Sequence, residues 1–435
     1  MQQLIERAKT VIQNNWREGF TVPSENLYPF QWMWDSGFVA LGTSHYDLEK
    51  AIQEIECMFS GQWENGMIPH IIFHSENETS YFPNFDFWDC SVNDGAPQKP
   101  KTSGITQPAV FGFILEAIYD HHKDNAEVVS FVKRVYPKVV KYHRFLYDYR
   151  DPFKEGLFFI YHPWESGRDN SPIWDESLNR IVIDKNLLPD YQRRDTSIAD
   201  ASERPTSYQY DRYVYLLELG KKYKYDGPEI AEHSPFLVQD CMMNAILIKS
   251  NQALIKLGNE LGLDVSYIEA QNQISQNNFV SRFWNEDLGT FVSYDLRAGK
   301  QIAFKEIGGF ISLFAKLANE TQADRMISYL QKLHNDGYYL CPSFDVNSEL
   351  FDSKRYWRGP IWPHMNSMIY HGLKYYNQEA LAEIVKSDTV QLVDQFGFYE
   401  YYESQKHLAK DLSKGYGGNN FSWTSSSIIH LLSHS

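Results

Sequence analysis

Apolar residues recur three and four positions apart along most of this chain, the spacing that gathers them on one face of a helix. Such runs fall at roughly 2–16, 45–60, 107–122, 126–149, 210–224, 236–261, 266–283, 307–318, 321–334, 364–376, 379–395 and 422–433. The pattern therefore predicts about twelve helices, and no alternating run is long enough for a central sheet. Proline and glycine are scattered through the connections rather than gathered in one linker, so a single domain over residues 1–435 is expected.

Several connections echo one another. Gly156 to Tyr161, Gly289 to Tyr294 and Gly397 to Tyr402 each place a glycine, an aromatic residue and a tyrosine at the same offsets after a helical run. Helices in this number, punctuated by recurring short extended turns, suggest six hairpins closed into a ring. The expected fold is all-α, an (α/α)6 barrel with long loops capping a pocket at one end.

Composition narrows the partners. The chain is 43% hydrophobic and 22% charged, which is globular. Its 29 Tyr, 27 Phe and 11 Trp suit a wide core or a cavity lined for sugar rings. A formal net charge of −15 without a basic stripe argues against nucleic acid. Cys57, Cys90, Cys241 and Cys341 lie far apart, so neither structural zinc nor a disulfide framework is expected, and a reducing, cytoplasmic setting fits. The first sixteen or so residues read as an amphipathic helix, and no apolar run is long enough for a membrane span. Homo-oligomerisation stays open.

The segment His162-Pro163-Trp164-Glu165-Ser166-Gly167-Arg168-Asp169-Asn170-Ser171 is poor core material and a good site. Two carboxylates, a guanidinium, an indole and a carboxamide share ten residues, with Pro163 and Gly167 breaking any helix. A carboxyl group walled by aromatic rings can have its pKa raised, as a general acid requires. A solvated turn is the plain alternative, but similar clusters recur. Tyr28, Trp32, Trp34 and Asp35 precede or open a helical run, where Asp35 either caps the helix or accepts hydrogen bonds from sugar hydroxyls. Gln107 enters another helix after Thr106. Arg204 and Tyr210 stand at the mouth of a third, with Glu203 or Asp211 as candidate ion-pair partners for the guanidinium. Tyr356, Trp357, Arg358 and Trp362 flank a Gly-Pro turn. Near the C-terminus, Glu400 and Glu403 sit among tyrosines ahead of a Gly417-Gly418 turn. In an extended strand they point to opposite faces, so only one faces a pocket. Two isolated carboxylates in an aromatic cavity are the minimum for glycoside hydrolysis. No Ser-His-Asp pattern, P-loop, GxGxxG or HExxH competes, and neither a cofactor nor a metal is implied.

These segments resemble the glycoside hydrolases of family 63 in clan G, relatives of trehalase and processing α-glucosidase. The chain looks closest to the compact branch that hydrolyses mannosylglycerate and glucosylglycerate. The resemblance runs from Tyr28 to Thr424 and is carried by HPWESGRDNS, ERPT with YDRY, YWRGPIWP, and FYEYYE with a later FSWT. It implies an (α/α)6 barrel and an inverting mechanism, with Asp169 as general acid and Glu400 as general base. Such a pair stands about 6.5–9.5 Å apart to admit a water. Trp34, Asp35, Gln107, Trp357 and Trp362 match the family's sugar-subsite positions, and Tyr28, Trp32, Gly167 and Arg168 are further substrate-binding candidates. Arg204, Tyr210 and Tyr356 match residues that hold the glycerate carboxylate, and Tyr81 adds a contact from a loop. One departure stands out: relatives carry a short Asp-Pro-x-Thr-Gly after the base, whereas this chain reads from Glu403 to Lys414 without it.

Other readings compete. A neutral α-glucoside is the strongest rival substrate, because an internal carboxylate such as Asp211 would satisfy Arg204. A sugar epimerase would need a histidine pair, for which His70, His74 and His364 are available. A non-catalytic sugar-binding protein would need the aromatic residues but not both carboxylates.

Overall fold

The computed structural model describes residues 1–75 and 81–433. Thirteen of its helices define the architecture: α1 (Gln2–Asn15), α2 (Met33–Thr43), α3 (Leu48–Phe59), α4 (Phe111–His122), α5 (Ala126–Tyr149), α6 (Ser207–Lys222), α7 (Cys241–Leu261), α8 (Ser266–Phe283), α9 (Ile307–Phe314), α10 (Glu320–Asn335), α11 (Pro363–Tyr375), α12 (Glu379–Phe396) and α13 (Ser422–Ser433). Six of them, α2, α4, α7, α9, α11 and α13, pack side by side in that order, and α13 closes back on α2. Around this inner ring α3, α5, α8 and α12 cover α2, α4, α7 and α11, and α1 covers α13. The remaining outer helix, α10, reaches α9 through the strand Thr290–Phe291. The fold is the (α/α)6 barrel that the helical pattern predicts.

One ring member escapes that pattern. Every residue of α2 is buried, so it has no polar stripe and no 3.6-residue alternation to detect. The run expected at 210–224 forms α6, which stays outside the ring and packs among the loops, its Tyr213 carbonyl accepting from His162 Nε2 at 3.1 Å. Caps fix where the inner helices begin. Asp240 accepts from the Met243 amide at 2.8 Å to open α7, and Glu306 accepts from the Gly308 amide at 2.7 Å to open α9.

The inner helices all run the same way. Asp35 lies in the first turn of α2, Gln107 just ahead of α4, Tyr356 ahead of α11 and Trp423 in the first turn of α13, and all four line one mouth of the barrel. Leu41, Asp120, Lys256, Phe314, Tyr375 and His430, near the other ends, line the opposite mouth. Small antiparallel sheets border the first mouth. One has the order Gln31–Trp32, Ile71–Phe73, Lys101–Thr102, with Trp32 opposite Ile71; another pairs Tyr399–Tyr401 with Tyr416–Asn419.

Candidate active site

The first mouth opens into a cavity of about 860 Å3, counted with its open entrance. Asp169 and Glu400 both line it. Asp169 comes from the loop between residues 162 and 171, which turns tightly at Pro163–Ser166 because His162 Nδ1 accepts the Trp164 amide at 3.0 Å. Gly167 then takes φ +68° against the face of Trp34, where any side chain would collide with the indole. The Asp169 carbonyl accepts from the Tyr213 hydroxyl at 2.6 Å, and Asn170 Oδ1 accepts from the Trp357 amide at 2.9 Å, so the loop is held on both sides of the carboxyl group. Asp169 is partly exposed, and its open side faces the cavity. Loss of hydration raises its pKa to about 7; Arg204 opposes the rise and the Glu400 charge adds to it.

Glu400 is differently placed. It is fully buried on the strand Tyr399–Tyr401, with Oε1 accepting from the Tyr28 hydroxyl at 3.1 Å and Oε2 from the Gly418 amide at 3.0 Å. Gly417 has φ +70° and passes so close to this carboxylate that a Cβ would overlap it. Burial pushes the Glu400 pKa up, while Arg204, the Gly418 amide, Tyr28 and Tyr356 all pull it down. More groups favour the charged form of Glu400 than that of Asp169. Both carboxyls nonetheless stay above their ordinary pKa values, because burial is the largest influence on each.

Arg204 links the carboxylates to the cavity's entrance. Its Nη2 donates to the Tyr28 hydroxyl at 2.8 Å, and its guanidinium lies 4.1 Å above the Tyr356 ring. Its ion-pair partners are Asp195, at 3.3 Å from Nε, and at longer range Glu400, rather than Glu203 or Asp211. Nη1 makes no hydrogen bond, although Glu400 Oε2 stands 3.5 Å away. Asp35 also lines the cavity with Oδ1 unpartnered, and burial, then the Glu400 charge, raises its pKa far above the usual carboxylate range. Gln107 Oε1 accepts the Trp34 amide at 3.2 Å and so ties two cavity walls together.

The cavity thus gathers Tyr28, Trp32, Trp34, Asp35, Tyr81 and Gln107, together with Gly167, Arg204, Tyr210 and Tyr356. Three expected contacts lie off its wall. The Arg168 guanidinium turns away into the core and pairs with Asp240 and Glu306, because its side chain leaves the loop on the face opposite the cavity. Trp357 and Trp362 stack on each other at 3.7 Å behind Tyr356, closing the core rather than lining the space. Glu403 is buried and points away from the cavity to Ser353 and Tyr416, at 2.8 and 3.0 Å.

Other lining residues had no signal as such. Arg194 and Asp195 sit in a charged stretch that reads as a solvated linker, yet it folds over the entrance. Trp164 and Trp423 belong to motifs singled out in the sequence, and both line the cavity. Of the histidines considered for epimerisation, only His70 reaches the cavity; His74 bonds to Gln31 at 2.7 Å and His364 is enclosed by Trp34 and Trp423. Among the described residues no group of three His, Cys, Asp or Glu side chains is arranged to hold a metal.

Residues 28–424 match the family model of the mannosylglycerate hydrolase MGH1-like glycoside hydrolase domain. A mannosylglycerate hydrolase of Thermus thermophilus is 40% identical over 422 residues, spanning 96% of this chain and 98% of the relative. A glucosylglycerate hydrolase of Mycolicibacterium hassiacum is 31% identical across 99% of this chain and 98% of its own length. The crystal structure of the family 63 mannosylglycerate hydrolase of Thermus thermophilus with Tris and D-glycerate superimposes with a TM-score of 0.91 at 39% identity, covering 98% of this chain and 99% of that one. A neutral trehalase of Saccharomyces cerevisiae, at 18% identity and a TM-score of 0.61, shares the fold.

Proposed function

The chain belongs to the mannosylglycerate hydrolase MGH1-like family of glycoside hydrolases, and we propose that its substrate is a 2-O-α-glycosyl-D-glycerate, cleaved to free sugar and glycerate with inversion. The observation that carries this reading is Arg204 Nη1, a buried guanidinium nitrogen that makes no hydrogen bond within the chain and meets only the longer 3.5 Å ion pair with Glu400 Oε2. A planar cation with spare N–H groups suits a carboxylate better than a neutral hydroxyl.

In this mechanism Asp169 is the general acid. Held protonated near neutral pH, it gives its proton to the glycosidic oxygen as the C–O bond breaks. Glu400 is the general base and takes a proton from the water that attacks the anomeric carbon from the opposite face. The sugar leaves as the β-anomer. Trp34, Asp35 and Gln107 bind the ring, while Arg204, Tyr210 and Tyr356 hold the glycerate carboxylate, with Tyr28 bridging Arg204 and Glu400.

The whole chain works as one catalytic domain on a small carbohydrate. Its four free cysteines suit the cytoplasm, and no helix among the described residues is long and apolar enough to cross a membrane.

The test is release of free sugar from glucosylglycerate, mannosylglycerate, trehalose and kojibiose, followed by NMR to identify the anomer. Release of the β-anomer from a glycerate substrate is the expected result. Turnover of the neutral disaccharides alone would retire the glycerate assignment.

A further inference from the structure

Arg168, beside Asp169 in the chain, is with Arg150 one of two fully buried arginines without a place in the chemistry. It is 0% exposed, and its two terminal nitrogens bond separately to Asp240 and Glu306. Each of those carboxylates caps an inner helix, Asp240 that of α7 and Glu306 that of α9. Room for the guanidinium exists because residue 308 is glycine; a Cβ there would strike Arg168. Asp240 is fixed further by the Ser293 hydroxyl at 2.9 Å, and the Arg168 carbonyl accepts from Trp174 Nε1 at 2.8 Å.

Burying a cation between two anions is a poor way to add stability, since apolar residues of the same volume usually do as well or better. A forked guanidinium between two rigid partners does fix position, because both arms must be satisfied at once. We propose that Arg168 is a positioning residue for Asp169: it pins the catalytic loop to the starts of α7 and α9 so that the acid meets the leaving oxygen. The inference rests on Asp169 being the general acid.

A misplaced acid harms only substrates that need protonation. Glycerate is a poor leaving group and needs it, whereas fluoride leaves an α-glycosyl fluoride with little help. The measurement is kcat/KM for the glycosylglycerate and for the α-fluoride of the same sugar, in wild type, Arg168→Lys and Asp169→Asn. Arg168→Lys keeps the charge and loses the fork, so the glycerate-to-fluoride ratio should fall by about 10- to 100-fold, the scale of a small misplacement. The ratio does not depend on how much of the preparation is folded. Parallel loss on both substrates, or loss on neither, overturns the proposal. If Arg168→Lys does not fold, Glu306→Gln loosens one arm while leaving an acceptor for the Gly308 amide, and the same ratio decides. Asp169→Asn is the separate control: full activity on the glycerate substrate in that variant would sink the assignment of the acid itself, not the role of Arg168.

Discussion

Arg204 and Glu400 are joined twice, directly at 3.5 Å between Nη1 and Oε2 and through the Tyr28 hydroxyl, which accepts from Nη2 at 2.8 Å and lies 3.1 Å from Oε1. One guanidinium therefore contacts Glu400 and, on the proposed reading, serves both the general base and the substrate's carboxylate.

Replacing it should expose both functions. In Arg204→Met, KM for a glycosylglycerate should rise by about 10- to 100-fold, the scale of a lost hydrogen bond to a charged group, while a neutral α-glucoside suffers less. Because Arg204 holds the Glu400 pKa down, its loss should also move the acidic limb of the pH–rate curve upward. Kinetics on the two substrates across pH check both effects.

The pH dependence of kcat/KM should be bell-shaped. Activity falls below the working range as Glu400 takes up a proton, and above about 7 as Asp169 loses its own. Since the Glu400 charge raises the Asp169 pKa, Glu400→Gln should lower it. A 13C-labelled aspartate titration in that variant gives the value directly, and an unshifted Asp169 would contradict the coupling.

Asp169 should also weaken the fold at alkaline pH. Its folded pKa, about 7, lies above the ordinary aspartate value of 3.8, so its contribution is complete below the lower value and lost as pH rises through the upper. Asp169→Asn does not titrate. Its melting temperature should match wild type near pH 4 and exceed it increasingly towards pH 8, as scanning calorimetry at several pH values will show.

Gly417→Ala should be a catalytic rather than a folding lesion. The new methyl group meets the Glu400 carboxylate, and the φ of +70° is strained for any other residue. A displaced base should lower kcat by on the order of 100-fold, with the circular dichroism spectrum retained. Activity within twofold or so of wild type would mean that the hairpin yields instead.

Legibility in the sequence followed the physics of each element. Amphipathic helices such as α5 announce themselves because one face stays wet, whereas α2, buried on every side, has no alternation to read. Asp169 and Glu400 stood out because a carboxylate among aromatic rings is costly unless it has work to do. Arg168 was found with them but not its role: the sequence places it beside Asp169, and only the turn at Gly167 decides that the two side chains diverge. Asp195 was hidden for the opposite reason, since a charged stretch looks the same whether it faces water or folds back over a cavity.

The parallel run of the inner helices makes the barrel an electrical object as well as a packed one. Each helix ends in roughly half a positive charge at its N-terminus and half a negative one at its C-terminus. All six positive ends lie at the end of the barrel where the mouth with Asp169 and Glu400 opens, those of α7 and α9 behind it around Arg168. Asp35, Asp240 and Glu306 answer those of α2, α7 and α9, but α4, α11 and α13 carry no acidic residue in their first turns. The opposite mouth, where the negative ends gather, holds Lys249 and Lys256, each paired with Glu116 or Asp120 there. A chain with a formal net charge of −15 repels an anion from afar, yet within about 8 Å, the screening length at physiological salt, Arg194, Arg204 and the N-termini of α4, α11 and α13 set positive charge against the carboxylates of the cavity. On the proposed reading, an anionic substrate is then held on contact by Arg204 rather than drawn in from a distance.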